Sequence, residues 1–187
     1  RPETPGTSLQ FRFDDGDDVE TFASPGGRFL VHFTRDGDHA VDADDDDDSG
    51  VPDFVEEVAE TYDEVLAFYE ELGFLAPLDD GDVADNGGDD RFDVYLVDFA
   101  GVGDGRFAID ACESDAPDRC AGFMTQENDY AGYGYPSTRV ANRILASHEF
   151  FHAVQVAYDR EQNNVLEEGS AVWATEQFDP SLKDFEG

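Results

Sequence analysis

The sequence predicts an α+β fold, and three observations carry that reading. From residue 28 onward its segments run strand, helix, strand, strand, strand, helix, helix. Two long stretches, 51–74 and about 138–158, place apolar residues at helical spacing. Between them, short runs alternate apolar and polar side chains, the period-two pattern of half-buried strands.

In chain order, the segment to Thr7 is rich in Pro and Thr and is expected to fray. Leu9, Phe11 and Phe13 alternate with polar residues as in a strand, Asp14–Asp18 and Gly26-Gly27 read as turns, and Arg28–Phe33 reads as the next strand. Val51–Phe74 is a helix: Phe54, Val55, Val58, Tyr62, Val65, Leu66, Phe68 and Tyr69 form one stripe, and Gly73 closes it. Asp79–Asp90 is a Gly-rich polar loop and Phe92–Phe99 a strong strand, succeeded by weaker strands at Phe107–Ile109 and Gly122–Thr125. Ser137 and Thr138, both good capping types, then open a helix marked by Val140, Ile144, Leu145, Phe151, Val154 and Val156. A second, short helix starts near Val165.

The long second helix carries His148-Glu149-Phe150-Phe151-His152, an HExxH. Histidines four apart project from one helix face about one turn apart, so both imidazoles reach one metal ion while the glutamate reaches a water held there. Zinc in a hydrolase takes three protein ligands and keeps a fourth position open, so one more donor is needed. The other histidines are His32 and His39, and both precede the motif. Gln155 and Tyr158 stand where an extended HExxHxxGxxH pattern needs Gly and His.

Downstream of the motif the chain carries Val165-Leu166-Glu167-Glu168-Gly169-Ser170-Ala171-Val172-Trp173 instead. With its HEFFHAVQ and EEGSAVW, the chain resembles the gluzincin zinc metallopeptidases, and within them a group of secreted prokaryotic metalloproteases. The resemblance spans residues 28–178, with its specific motifs between 148 and 173. It implies the catalytic half of a zincin fold: a mixed twisted sheet packed on a long helix and on the HExxH helix, with the last strand at the edge of the cleft. It implies a zinc endopeptidase with His148, His152 and Glu168 as zinc ligands and Glu149 as general base. Glu167 is the rival ligand, since neighbouring helical residues point about 100° apart and only one can face the metal. The chain departs from the pattern in two places: the spacer from His152 to Glu168 is short, and Val172 stands where thermolysin-like members carry an acid. Glu176 is then the candidate partner of the histidines. The oxyanion-stabilising residue is open among His32, His39, Tyr133, Tyr135 and Tyr158. The resemblance also suggests a further C-terminal helical domain.

Composition bounds the rest. In 187 residues, 46 acids face 11 bases for a net charge of −35, yet 16 Phe and 7 Tyr supply a real core. One domain over residues 1–187 is expected. Such acidity argues against nucleic acid and anionic membrane surfaces as partners, and leaves a protein or peptide substrate and a monomer as the expectation. A carboxylate excess spread end to end, with Lys183 the only lysine, resembles proteins of salt-in halophilic archaea. Cys112 and Cys120 flank a short polar loop and are expected to form a disulfide, which fits a secreted protein. The acidic run before the first helix has an EF-hand-type register for Ca²⁺: Asp45, Asp47, Ser49, the Val51 carbonyl, Asp53 and Glu56 at positions one, three, five, seven, nine and twelve, with Gly50 at six. The alternative to an enzyme is a catalytically inactive zincin-like domain, a calcium-stabilised extracellular binding module.

Overall fold

The computed structural model describes residues 1–81, Val83 and 86–182 as an α+β arrangement of one five-stranded sheet and three helices. The strands are β1 (Glu20–Ala23), β2 (Phe29–Phe33), β3 (Phe92–Leu96), β4 (Gly105–Cys112) and β5 (Cys120–Gln126). The helices are α1 (Asp53–Glu71), α2 (Thr138–Val156) and α3 (Asn164–Phe178). The sheet is mixed, in the order β1-β2-β3-β5-β4. β2, β3 and β5 run parallel, and β1 and β4 flank them antiparallel. None of the described helices is long and apolar enough to cross a membrane.

Alternation along the strands divides the sheet into two faces. Phe29, Val31, Phe33, Phe92, Val94, Leu96 and Met124 face the helices and merge with Val55, Val58, Tyr62, Val65, Leu145, Phe150 and Val154 in the main core. On the other face Tyr95, Val97 and Phe123 are covered by Leu9, Phe11 and Phe13. Those three residues were expected to make a strand, and they do not. Their alternation lays apolar side chains on the sheet's back face, while their backbone joins no ladder. Nor is the N-terminal segment loose: the Arg1 guanidinium is fully buried among Asp80, Asp93 and Asp110. The expected last strand, β5, is not at the edge either. It is buried along its whole length and sits between β3 and β4, whereas β4 carries the polar Arg106 and Asp110 that suit an edge. A disulfide joins Cys112 to Cys120, directly opposite each other across β4 and β5.

Candidate metal centre

The candidate site is built on α2. Ser137 caps the helix by accepting from the Val140 N–H at 3.2 Å. The two residues inside the HExxH then fix its rotation. Phe150 packs edge-on against Phe29, Phe92 and Tyr62 below the sheet, and Phe151 packs against Tyr69 and Phe74. With these neighbouring positions driven into the core, His148 and His152 are left on the remaining side, toward α3. The Tyr69 hydroxyl donates to the Ser147 carbonyl at 2.5 Å, and Ser147 Oγ meets Thr175 Oγ1 of α3 at 3.1 Å, so the residue before His148 is held from both sides.

α3 starts at an Asn163 cap, whose side chain accepts from the Val165 N–H at 3.0 Å, and is longer than the sequence suggested. It brings the third donor. Ligand atoms of His148, His152 and Glu168 all lie within 4.8 Å of one another. Glu168 Oε2 is 3.3 Å from His148 Nε2 and 3.9 Å from His152 Nε2. Two ligands each about 2.0–2.1 Å from a tetrahedral zinc stand roughly 3.4 Å apart, so this donor set fits the ion in spacing as well as in type. Glu167 is half-buried and stays outside the trio, its carbonyl turned back to the Gln155 side chain.

Glu149 points from α2 to the edge strand, where its Oε2 accepts from the Phe107 N–H at 3.2 Å. Burial pushes its carboxyl above the ordinary glutamate range, against the pull of His152 and His148 and of that hydrogen bond. A raised carboxyl beside a metal position can both take and return a proton. Beyond Phe107 lies a cleft of about 470 Å³ bordered by Ile109, Val156, Arg160 and Glu167.

The residue that holds His152 is one the sequence passed over. Its Nδ1 lies 2.7 Å from Gln155 Oε1, so Gln155 takes the part assigned to Glu176. The signal was present as the i, i+3 spacing, which puts Gln155 on the histidine's own face. The candidate oxyanion residues have other partners. His32 bonds Asp93, His39 accepts from the Asp98 N–H, Tyr133 and Tyr135 bond Glu127 and Asp104, and Tyr158 accepts from the Leu75 N–H. A second grouping, Asp14, Asp17 and His39, is a poorer metal site. His39 Nδ1 receives the Asp98 N–H, so the neutral ring carries its proton on Nε2 and offers no free lone pair.

The acidic loop before α1 gathers part of its expected set. Carboxylates of Asp45, Asp47 and Asp53 come within 4.8 Å, while Glu56, in the first turn of α1, is not in the group. Asp45 and Asp47 accept from the Ser49 and Gly50 N–H groups, Asp53 from the Asp46 N–H, and Ser49 Oγ donates to the Val51 carbonyl. Gly50 takes the positive φ of 89° that the sharp turn needs. Comparisons with protein-family models, curated proteins and solved structures find no match, so any reading of the centre rests on its own residues and geometry.

Proposed function

We propose that the chain is a zinc-dependent metallopeptidase that hydrolyses peptide bonds in proteins or peptides, is secreted as a monomer and is adapted to high salt. The observation that carries this reading is the convergence of His148, His152 and Glu168, with Glu149 on the same helix turn. Two imidazoles and one carboxylate are a donor set that zinc accepts while keeping a position open. When bound, zinc would supply a water of lowered pKa and polarise the scissile carbonyl. Glu149 would take a proton from that water and hand it to the leaving amine, and the raised affinity of its buried carboxyl for protons suits the first of these transfers. Edge strand β4 offers the wall along which an extended peptide would lie. The loop of Asp45, Asp47 and Asp53 is proposed to hold a structural Ca²⁺.

The test is metal analysis and peptide hydrolysis in molar KCl, on wild type and Glu149→Gln. We expect near one equivalent of zinc in both proteins and turnover at least about 100-fold lower in the variant. Equal, metal-independent background from the two would sink the peptidase reading. Zinc bound to a wild type without turnover would point to a non-catalytic binding module.

A further inference from the structure

One side chain is bonded to both halves of the centre. Gln155 is 5% exposed, and its amide has one acceptor oxygen and two N–H donors. The nitrogen end lies 2.8 Å from the Glu167 carbonyl and 2.8 Å from Ser170 Oγ. A carbonyl only accepts, so the reversed amide would set two oxygens against each other. Ser170 Oγ in turn donates to the Leu166 carbonyl at 2.6 Å, which leaves it to receive from Gln155. The amide orientation is therefore determined by its partners, and Oε1 is the end at His152 Nδ1, 2.7 Å away. Because that oxygen can only accept, Nδ1 must carry the hydrogen. The neutral ring then has its lone pair on Nε2, the atom that faces Glu168.

The other end of the amide matters as much. Glu167 and Ser170 bracket Glu168, and the first turn of α3 has little packing of its own: Val165 and Leu166 are 79% and 68% exposed, and the buried residues of α3 are Ala171, Ala174 and Thr175, further along. The bonds from Gln155 tie that turn to α2 beside the contacts of Glu168 with the two histidines.

We propose that Gln155 is the positioning residue of the centre, one amide that sets the His152 tautomer and at the same time docks the turn bearing Glu168. This rests on the reading of His148, His152 and Glu168 as a zinc site, and the experiment separates the two. Nitrogen-15 NMR of histidine-labelled, metal-free wild type in molar KCl should show His152 with its proton on Nδ1, and Gln155→Met should shift it toward Nε2–H. In chelator competition, Gln155→Met should bind Zn²⁺ about 10- to 100-fold more weakly than wild type. Its Co²⁺ form should lose the visible absorption of a four-coordinate site. Ser170→Ala removes one of the two acceptors and should weaken zinc less than Gln155→Met. An Nε2–H tautomer in wild type would overturn the assignment without any variant having to fold, as would zinc affinity in Gln155→Met within about twofold of wild type. A wild type that takes up no zinc sinks the zinc reading, and the tautomer then decides the role of Gln155 at His152 by itself.

Discussion

On the back face of the sheet, Arg1 faces three carboxylates, and the charges there do not balance. Its guanidinium is 3.0 Å from Asp93 and 2.8 Å from Asp110, and it also bonds Asp80. His32 bonds Asp93 at 2.7 Å. Burial pushes Asp80 and Asp93 up to about 7, more than Arg1 pulls them down, and it lowers His32 to about 4. An acid raised in the folded state contributes stability below its unfolded value of about 4, and that contribution is lost as pH rises through about 7. His32 runs the other way: its contribution is present above about 6.5 and is lost as pH falls toward about 4. Asp80→Asn isolates the acid part. We expect the variant to match or exceed wild type in denaturant unfolding at about pH 8, with that advantage gone by about pH 5. A wild-type advantage that grows with pH would contradict the protonated Asp80. None of this cluster was legible in the sequence, because Arg1, Asp80 and Asp93 lie far apart along the chain and a buried charge leaves no local pattern. His148, Glu149 and His152 were legible because helix geometry alone places them together. Glu168 came through the resemblance, and the structure puts its carboxylate beside both histidines.

At the scale of elements, β4 meets the centre through the Phe107–Glu149 hydrogen bond and crowds its ladder partner β5 at Gly122. A Cβ on Gly122 of β5 would press on the Ala108 carbonyl and come within 2.6 Å of the Phe107 ring. A backbone oxygen cannot step aside cheaply, so Gly122→Ala should push β4 outward. We expect a loss of about 1–3 kcal/mol in stability and, because Phe107 N–H holds Glu149, a fall in turnover beyond what unfolding explains. Gly169 is the contrasting case, helical and with open space where a Cβ would go. Gly169→Ala should stabilise α3 by about 0.5–1 kcal/mol with zinc binding retained. Calorimetry of the two variants checks both signs. The helices were readable because their apolar stripes repeat over many residues. β1, four residues of mixed polarity, carried no such signal, and strand order depends on pairings between distant segments. The edge was misplaced for that reason: the chain returns from β4 to insert β5 beside β3, and only the unbroken burial of β5 reveals it.

At the scale of the whole molecule, 46 acids against 11 bases leave most carboxylates without a cation. Arg12, Arg28, Arg35, Arg91, Arg119 and Arg143 are already engaged with carboxylates. The remaining negative charge repels itself across the surface and favours the expanded chain. Salt shortens the reach of that repulsion from about 10 Å at 0.1 M to about 3 Å at 1 M, whereas buried apolar contacts are not weakened by it. The melting temperature should therefore climb steadily from about 0.1 M to molar KCl, equally in NaCl, and far less in an uncharged osmolyte at matched osmolality. A flat or falling profile would remove the high-salt reading. Calcium at the acidic loop would add a different signature: a further rise at fixed ionic strength that sets in near Kd, grows as RT ln(1 + [Ca²⁺]/Kd) and is lost in Asp45→Asn. Screening follows ionic strength whichever salt supplies it and depends on no single residue, so a calcium titration of wild type and Asp45→Asn at fixed ionic strength separates the two effects.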